Sequence, residues 1–218
     1  MNAIIVMSGG SGERFGGAVP KQYVRICGRP VIDYVLDAAD GSEKADETVI
    51  VMDEKWTGES EKISSGRYPL VPNGKTRVLS LYNGLKYLKE RFSCEKVVVV
   101  DAVRPLITPE LLDGYFDKLD EFDAVITSEK ITGGFTDIRD RNLDREEYII
   151  TQSPEGFRFG LLWENYDPDF RYQETAGMLP AGSKRYYNFA FRNNLKLTYD
   201  FELEYAEMLI RKRNNGSF

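Results

Sequence analysis

Short apolar runs alternate along the chain with longer stretches in which apolar residues recur every three or four positions. The runs Ala3–Met7, Thr48–Met52, Lys96–Val100 and Ala124–Ser128 have the length and composition of buried strands. Helical spacing lies between them. Val31–Ala39 carries a stripe at Val31, Val35 and Ala38, Arg77–Phe92 carries one at Leu81, Leu85 and Leu88, and Pro109–Leu119 continues the pattern. Val97–Val100 is an unbroken valine run, as expected of a central parallel strand covered on both faces. Strands alternating with helices predict βαβ units, hence an α/β, doubly wound, mostly parallel sheet.

The pattern weakens over Ile131–Gln152, a stretch rich in acids and arginines with short β-like runs at Phe135–Ile138 and Tyr148–Thr151. It reads either as a hairpin arm lying off the sheet or as a long surface loop. Beyond it the spacing predicts a helix over Phe157–Tyr166, strands at Tyr186–Phe189 and Leu195–Leu197, and a closing helix over Tyr199–Arg213. The basic end of that helix, Arg211-Lys212-Arg213, suits its negative dipole end. No repeat, linker or low-complexity tract interrupts the chain, so one domain over residues 1–218 is expected.

Composition narrows the chemistry. The 218 residues are 42% hydrophobic and 29% charged, with a net charge of −6. An acidic chain is not expected to have nucleic acid as its main partner. No apolar run approaches the ~18 residues of a membrane span. The two cysteines, Cys27 and Cys94, lack metal spacing and fit reduced thiols in a cytoplasmic protein. The chain has no histidine, which removes Ser-His-Asp triads, Cys–His pairs and the usual zinc sites. Catalysis must run on Lys, Arg, carboxylates, backbone amides or a hard cation.

Three candidate loops follow strands, where ligands bind in doubly wound folds. The first is Ser8-Gly9-Gly10-Ser11-Gly12-Glu13-Arg14, followed by Pro20-Lys21-Gln22-Tyr23. Glycines let backbone N–H groups approach phosphate oxygens, and Arg14 and Lys21 add charge. The dinucleotide fingerprint fails because Phe15 occupies its third glycine position, and a Walker A loop fails because Pro69 stands where Gly74-Lys75-Thr76 would need a glycine. The second loop is Pro72-Asn73-Gly74-Lys75-Thr76-Arg77, running into a helix whose N-terminus favours anions or carbonyl acceptors. Alone, it reads equally well as a turn with a solvated arginine. The third is Asp101-Ala102-Val103-Arg104-Pro105. A carboxylate closing a buried strand needs a cation: Mg²⁺ on Asp101, an internal pair with Arg104, or both, with Arg104 orienting Asp101. Lys196 sits between Leu195 and Leu197, a placement common for an exposed strand residue.

These elements, with Arg145, Gln152-Ser153-Pro154-x-x-Phe157 and Asn194-Leu195-Lys196-Leu197-Thr198, resemble the methylerythritol-phosphate and ribitol-phosphate cytidylyltransferases, in the family's order over roughly residues 3 to 207. The resemblance implies a Rossmann-like nucleotidyltransferase fold and a homodimer whose β-arm, about residues 131–151, carries Arg145 toward a neighbour. It assigns Arg14, Lys21 and Lys196 to catalysis at the CTP phosphates. It assigns Ser8, Gly9, Gly10, Gly12, Gly74, Arg77, Ser80 and Asp101 to CTP, and Asp101 to Mg²⁺. Arg104, Arg145, Ser153 and Glu174 fall to a phosphorylated small alcohol. The sequence departs from the family at Val100, where histidine is usual, at Ser153 and Glu155 within the Gln-Thr-Pro-Gln motif, and at Gln173-Glu174-Thr175. Residues 101–105 and 136–145 look closer to the ribitol-phosphate branch, implying ribitol 5-phosphate as acceptor and a CDP-alditol for a cell-surface polymer as product. Methylerythritol 4-phosphate or a phosphonate is the alternative acceptor. From another class, a nucleotide-binding regulator without turnover is the alternative.

Overall fold

The computed structural model describes residues 1–10, 15–16, 19–139, 143–172 and 174–216. Seven strands form the main sheet: β1 (Asn2–Met7), β4 (Glu47–Met52), β5 (Leu70–Pro72), β6 (Lys96–Asp101), β7 (Ala124–Lys130), β8 (Ile149–Arg158) and β9 (Arg185–Asn188). Their order is β5-β4-β1-β6-β8-β7-β9. A small antiparallel pair, β2 (Arg25–Ile26) and β3 (Arg29–Pro30), lies outside it. The helices are α1 (Val31–Asp40), α2 (Glu61–Ser64), α3 (Arg77–Arg91), α4 (Pro109–Lys118), α5 (Phe159–Glu164) and α6 (Glu202–Asn214).

The sheet is parallel from β5 through β4 and β1 to β6, whereas β8 runs antiparallel to both β6 and β7. The mostly parallel doubly wound sheet is therefore as expected, with a reversal that the apolar pattern did not announce. Strand alternation sorts the core into two layers. Ile4, Val6, Val98 and Val100 pack under α1 and α4 through Ile32, Leu36, Leu112 and Phe116. Ala3, Ile5, Val97 and Val99 face α3 and α5 through Leu81, Leu85, Leu88 and Leu162. A third cluster joins α6 to Val31, Tyr34 and Val103. Threonine caps set two helix starts: Thr76 Oγ1 accepts from Leu79 N–H, and Thr108 Oγ1 accepts from Leu111 N–H ahead of Pro109.

Four sequence expectations need correction. Residues 149–152 belong to β8 and pair with β7 inside the main sheet, and Phe135–Ile138 contributes an isolated bridge at Thr136 and no strand. Phe157 lies in β8, so the following helix starts at Phe159. Leu195–Leu197 joins no ladder; it is anchored instead by Leu197 N–H donating to Val103 O at 3.0 Å. The closing helix begins at Glu202, whose carboxylate accepts the N–H groups of Thr198 and Tyr199. No described helix is long and apolar enough to cross a membrane.

Candidate active site

The loops at the carboxyl ends of β1, β5 and β6 enclose a cleft of about 500 Å³. Its walls are Ser8, Gly9, Gly10 and Lys21 from the first loop, Asn73–Arg77 and Ser80 from the turn into α3, then Asp101 and Lys196. Buried Gln22 shapes the first loop by donating Nε2–H to the carbonyls of Ser8 (2.7 Å) and Gly10 (3.0 Å). Those carbonyl oxygens are thereby neutralised where they would repel a phosphate. Gly9 and Gly74 are dictated by close approach. A Cβ on Gly9 would lie 2.5 Å from Asn73 Cβ, and one on Gly74 would lie 2.5 Å from Leu79 Cβ. Gly74 N–H donates to Ser80 Oγ at 3.0 Å, while the Ser80 hydroxyl donates to Thr76 O at 2.8 Å. Ser80 thus lines the cleft with its hydroxyl engaged in holding the turn.

A second cleft of about 450 Å³ adjoins the first. Arg77, Asp101, Arg104, Gln152, Ser153, Glu155, Glu174 and Lys196 line it, and Arg77, Asp101 and Lys196 are common to both. Asp101 is the junction. Its Oδ2 lies 2.9 Å from Lys196 Nζ and 3.5 Å from Arg104 Nε, and its Oδ1 lies 3.9 Å from Arg77 Nη2. Burial alone would raise its carboxyl pKa, but Lys196, Arg77 and Arg104 outweigh it and hold the group well below the usual carboxylate range. Ser153 closes the junction by accepting Asp101 N–H on its Oγ at 2.8 Å. The β7–β8 register makes this geometry: it jumps between Ile126↔Glu155 and Thr127↔Gln152, leaving Ser153 and Pro154 outside the ladder.

Arg104 is buried at 4% exposure, and its guanidinium donates to Asn194 O (2.8 Å) and Gln152 Oε1 (3.2 Å). Asn194 in turn donates to Gln152 Oε1 and Ser153 O. Glu155, also buried, accepts from Thr175 N–H (3.2 Å), Ala176 N–H (3.4 Å) and the Thr175 hydroxyl (3.0 Å), and pairs with Arg77 Nη2 at 3.5 Å. Burial pushes the Glu155 carboxyl up, against the pull of Arg77 and the Thr175 and Ala176 bonds.

Of the residues singled out in the sequence, Ser8, Gly9, Gly10, Lys21, Gly74, Arg77, Ser80, Asp101 and Lys196 line the first cleft. Arg104, Ser153 and Glu174 line the second. Gly12 and Arg14 lie outside the described residues. The structure does not bring Arg145 to either cleft: its guanidinium donates to Thr132 O at 3.0 Å and pairs with Glu146 at 3.4 Å, on an exposed turn. The expected Asp101–Arg104 pair is present. Glu155, Thr175 and Gln152 enter the second cleft's network without having been assigned roles from sequence. The signal available was a carboxylate at Glu155, two residues before an apolar Phe157 on one face of a strand.

Among the described residues no group of three or more His, Cys, Asp or Glu side chains could hold a metal ion. Among the described residues Asp101 is the sole carboxylate lining the first cleft, and its Oδ1 is the less engaged oxygen. This donor set fits Mg²⁺ only as an ion carried in on a nucleotide's phosphates, with one protein oxygen joining them.

The family model for IspD, 2-C-methyl-D-erythritol 4-phosphate cytidylyltransferase, matches residues 2–212. A 2-C-methyl-D-erythritol 4-phosphate cytidylyltransferase of Thermobifida fusca (strain YX) is 29% identical over 96% of this chain and 93% of its own. The enzyme of that name from Phocaeicola vulgatus is 28% identical over 95% of this chain and 98% of its own. In fold, the chain superposes on 4-diphosphocytidyl-2C-methyl-D-erythritol synthase of Anaerococcus prevotii DSM 20548 with a TM-score of 0.81, at 22% identity, over 96% and 98% of the two chains. These relatives name methylerythritol phosphate and none of them ribitol phosphate, so the branch inferred from residues 101–105 and 136–145 is corrected. The chain belongs to the 2-C-methyl-D-erythritol 4-phosphate cytidylyltransferase (IspD) family, and with it to the CTP-dependent nucleotidyltransferases.

Proposed function

We propose that the chain transfers CMP from CTP to the phosphate of 2-C-methyl-D-erythritol 4-phosphate. A phosphate oxygen of the acceptor attacks the α-phosphorus of CTP. The bond to the β-phosphate breaks, and pyrophosphate leaves with the electron pair. One observation carries this reading: two clefts share a wall made of Arg77, Asp101 and Lys196. Two polyanions set side by side on that wall meet two cations and a carboxylate that orients them. The acceptor substrate is taken from the names of the relatives.

A phosphate monoester has a second pKa near ~6, so the attacking oxygen is ionised at neutral pH without a general base. This suits a chain without histidine. The protein's work is positioning and charge stabilisation. Gly9, Gly10 and Gly74 admit the nucleotide to backbone donors, Lys21 meets its phosphates, and Lys196 turns from Asp101 to the α-phosphate as it arrives. Arg77 and Arg104 flank the acceptor. Asp101 would hold a Mg²⁺ brought in on the triphosphate, and the ion would supply further positive charge. We take the working unit to be a homodimer in which Arg145, absent from the clefts of its own chain, serves the acceptor of its neighbour.

The test is pyrophosphate release from CTP, UTP, ATP or GTP with methylerythritol 4-phosphate or ribitol 5-phosphate. The highest kcat/KM is expected for CTP with methylerythritol 4-phosphate. Turnover of ribitol 5-phosphate alone would overturn the acceptor assignment, and stronger thermal stabilisation by ATP or GTP than by CTP would overturn the nucleotide. Binding of CTP without release from either acceptor would leave a regulator.

A further inference from the structure

Glu155 is a carboxylate where strand alternation calls for an apolar side chain. Phe157, two residues on, lies in the core layer against α3 and α5, and the period of two puts Glu155 on the same face. At 3% exposure, both of its oxygens are engaged. Oε1 accepts the N–H groups of Thr175 and Ala176, and Oε2 accepts the Thr175 hydroxyl and faces Arg77 Nη2 at 3.5 Å. Thr175 binds Arg77 as well, its Oγ1 lying 3.3 Å from Nη1.

Arg77 needs such a hold. It is the first residue of α3, whose first turn contains no acid, and a cation there opposes the helix dipole. Glu155 and Asp101 both face its Nη2, at 3.5 and 3.9 Å. The same carboxylate clamps the amides that directly follow Glu174, which lines the acceptor-side cleft. One buried side chain therefore sets two walls of that cleft, one cationic and one anionic.

We propose that Glu155 is a positioning residue for the acceptor, holding Arg77 and Glu174 in the arrangement that reads a phosphorylated polyol. Arg77 meets the phosphate and Glu174 accepts from hydroxyl groups. Around the acceptor-side cleft, the carboxylates of Asp101, Glu155 and Glu174 stand against the cations of Arg77, Arg104 and Lys196. A wall of balanced charge selects for a ligand that brings hydroxyl donors together with its anion. The inference rests on the cytidylyl-transfer reading for the identity of the site.

The deciding variant is Glu155→Gln. It is nearly isosteric and keeps an oxygen for the Thr175 and Ala176 amides, but offers Arg77 an amide in place of a charge. The acceptor KM is expected to rise about tenfold, the worth of one charge-assisted hydrogen bond, with the CTP KM changed less than about twofold. Thr175→Val, which removes the hydroxyl between Arg77 and Glu155 and leaves their ion pair, is expected to shift the acceptor KM in the same direction by less, and it decides the matter if Glu155→Gln does not fold. In a double-mutant cycle, Glu155→Gln is expected to add little to Arg77→Gln, because both act through one guanidinium. Equal rises in both KM values, or additive effects, would reduce Glu155 to a structural residue. An active wild type with an unchanged acceptor KM in Glu155→Gln overturns this inference alone. A wild type that turns over no phosphorylated polyol overturns it together with the proposed function.

Discussion

The two clefts share a wall and are built in opposite ways. The first cleft, the proposed nucleotide side, depends on close-packed backbone: the loop after β1 and the turn before α3 press together at Gly9 and Asn73, and Gln22 and Ser80 serve to hold those loops in shape. The second cleft, the proposed acceptor side, is side chains, with Asp101, Arg104 and Glu155 all under 10% exposed and bonded to one another's neighbours. Backbone-built recognition survives drift in most side chains and fails only when a loop moves. Side-chain recognition is retuned by one replacement, and Ser153 and Glu155, where this chain departs from the family motif, both lie on that side.

The largest effect is expected at the shared wall. Asp101→Asn leaves Arg104, Arg77 and Lys196 without their common carboxylate, a loss of about 3 kcal/mol at neutral pH for a broken buried pair. The sign with pH follows from a depressed folded-state pKa. The carboxylate's contribution is complete above its unfolded value, near ~3.9, and disappears as pH falls through the lower folded value. Urea unfolding from pH 7 to pH 3 should therefore show the gap between wild type and Asp101→Asn narrowing only below about pH 4. A gap constant with pH would assign the loss to packing and erase the electrostatic junction.

Next come the lysines. Lys21→Ala and Lys196→Ala are each expected to lower kcat by roughly 10²-fold, as for other preorganised charge-stabilising groups, with folding retained because neither belongs to the core clusters. Near-normal turnover in either variant would return that lysine to the surface. Gly74→Ala probes the backbone side by itself. The added Cβ would meet Leu79 Cβ at 2.5 Å and the Leu79 carbonyl carbon at 2.8 Å, so the turn must shift, at about 1–3 kcal/mol. The CTP KM should rise while the acceptor KM holds; a rise in both would mean the two sides are not separable.

The smallest effect on the fold is expected at Arg145, exposed on its turn: Arg145→Ala should change stability by no more than about 0.5 kcal/mol. Its proposed service to a neighbour is read by mixing Arg145→Ala with Lys21→Ala subunits, where one hybrid site regains both groups. Subunit exchange seen by native mass spectrometry without recovered activity would end that assignment.

The same division explains what was legible in the sequence. Glycines and lysines on loops after apolar runs marked the nucleotide side, because backbone approach leaves a local signature. The valine run of β6 and the stripes of α1 and α3 were equally plain. The strand carrying Gln152, Ser153 and Glu155 was not, because Pro154 and Gly156 break its period and its partners β6 and β7 are distant in sequence. A long-range ladder imposes that strand against local preference. Glu155's partners, Thr175 and Arg77, lie 20 and 78 positions away, beyond the reach of any local pattern. Asp101 stands out as a carboxylate closing a buried strand and Lys196 only through family resemblance; their meeting at 2.9 Å comes only from the fold.

The reversed direction of β8 has a mechanical consequence. Its register runs without a break from Lys130↔Ile149 to Thr127↔Gln152, and Ser153, the next residue, grips the backbone of Asp101. The outer end of that ribbon and the Asp101 junction are thereby joined by one continuous hydrogen-bonded run that ends where the register jumps. Whatever holds the exposed segment before Ile149 is thus linked, through four ladder pairs and one hydrogen bond, to the carboxylate at which the two clefts meet.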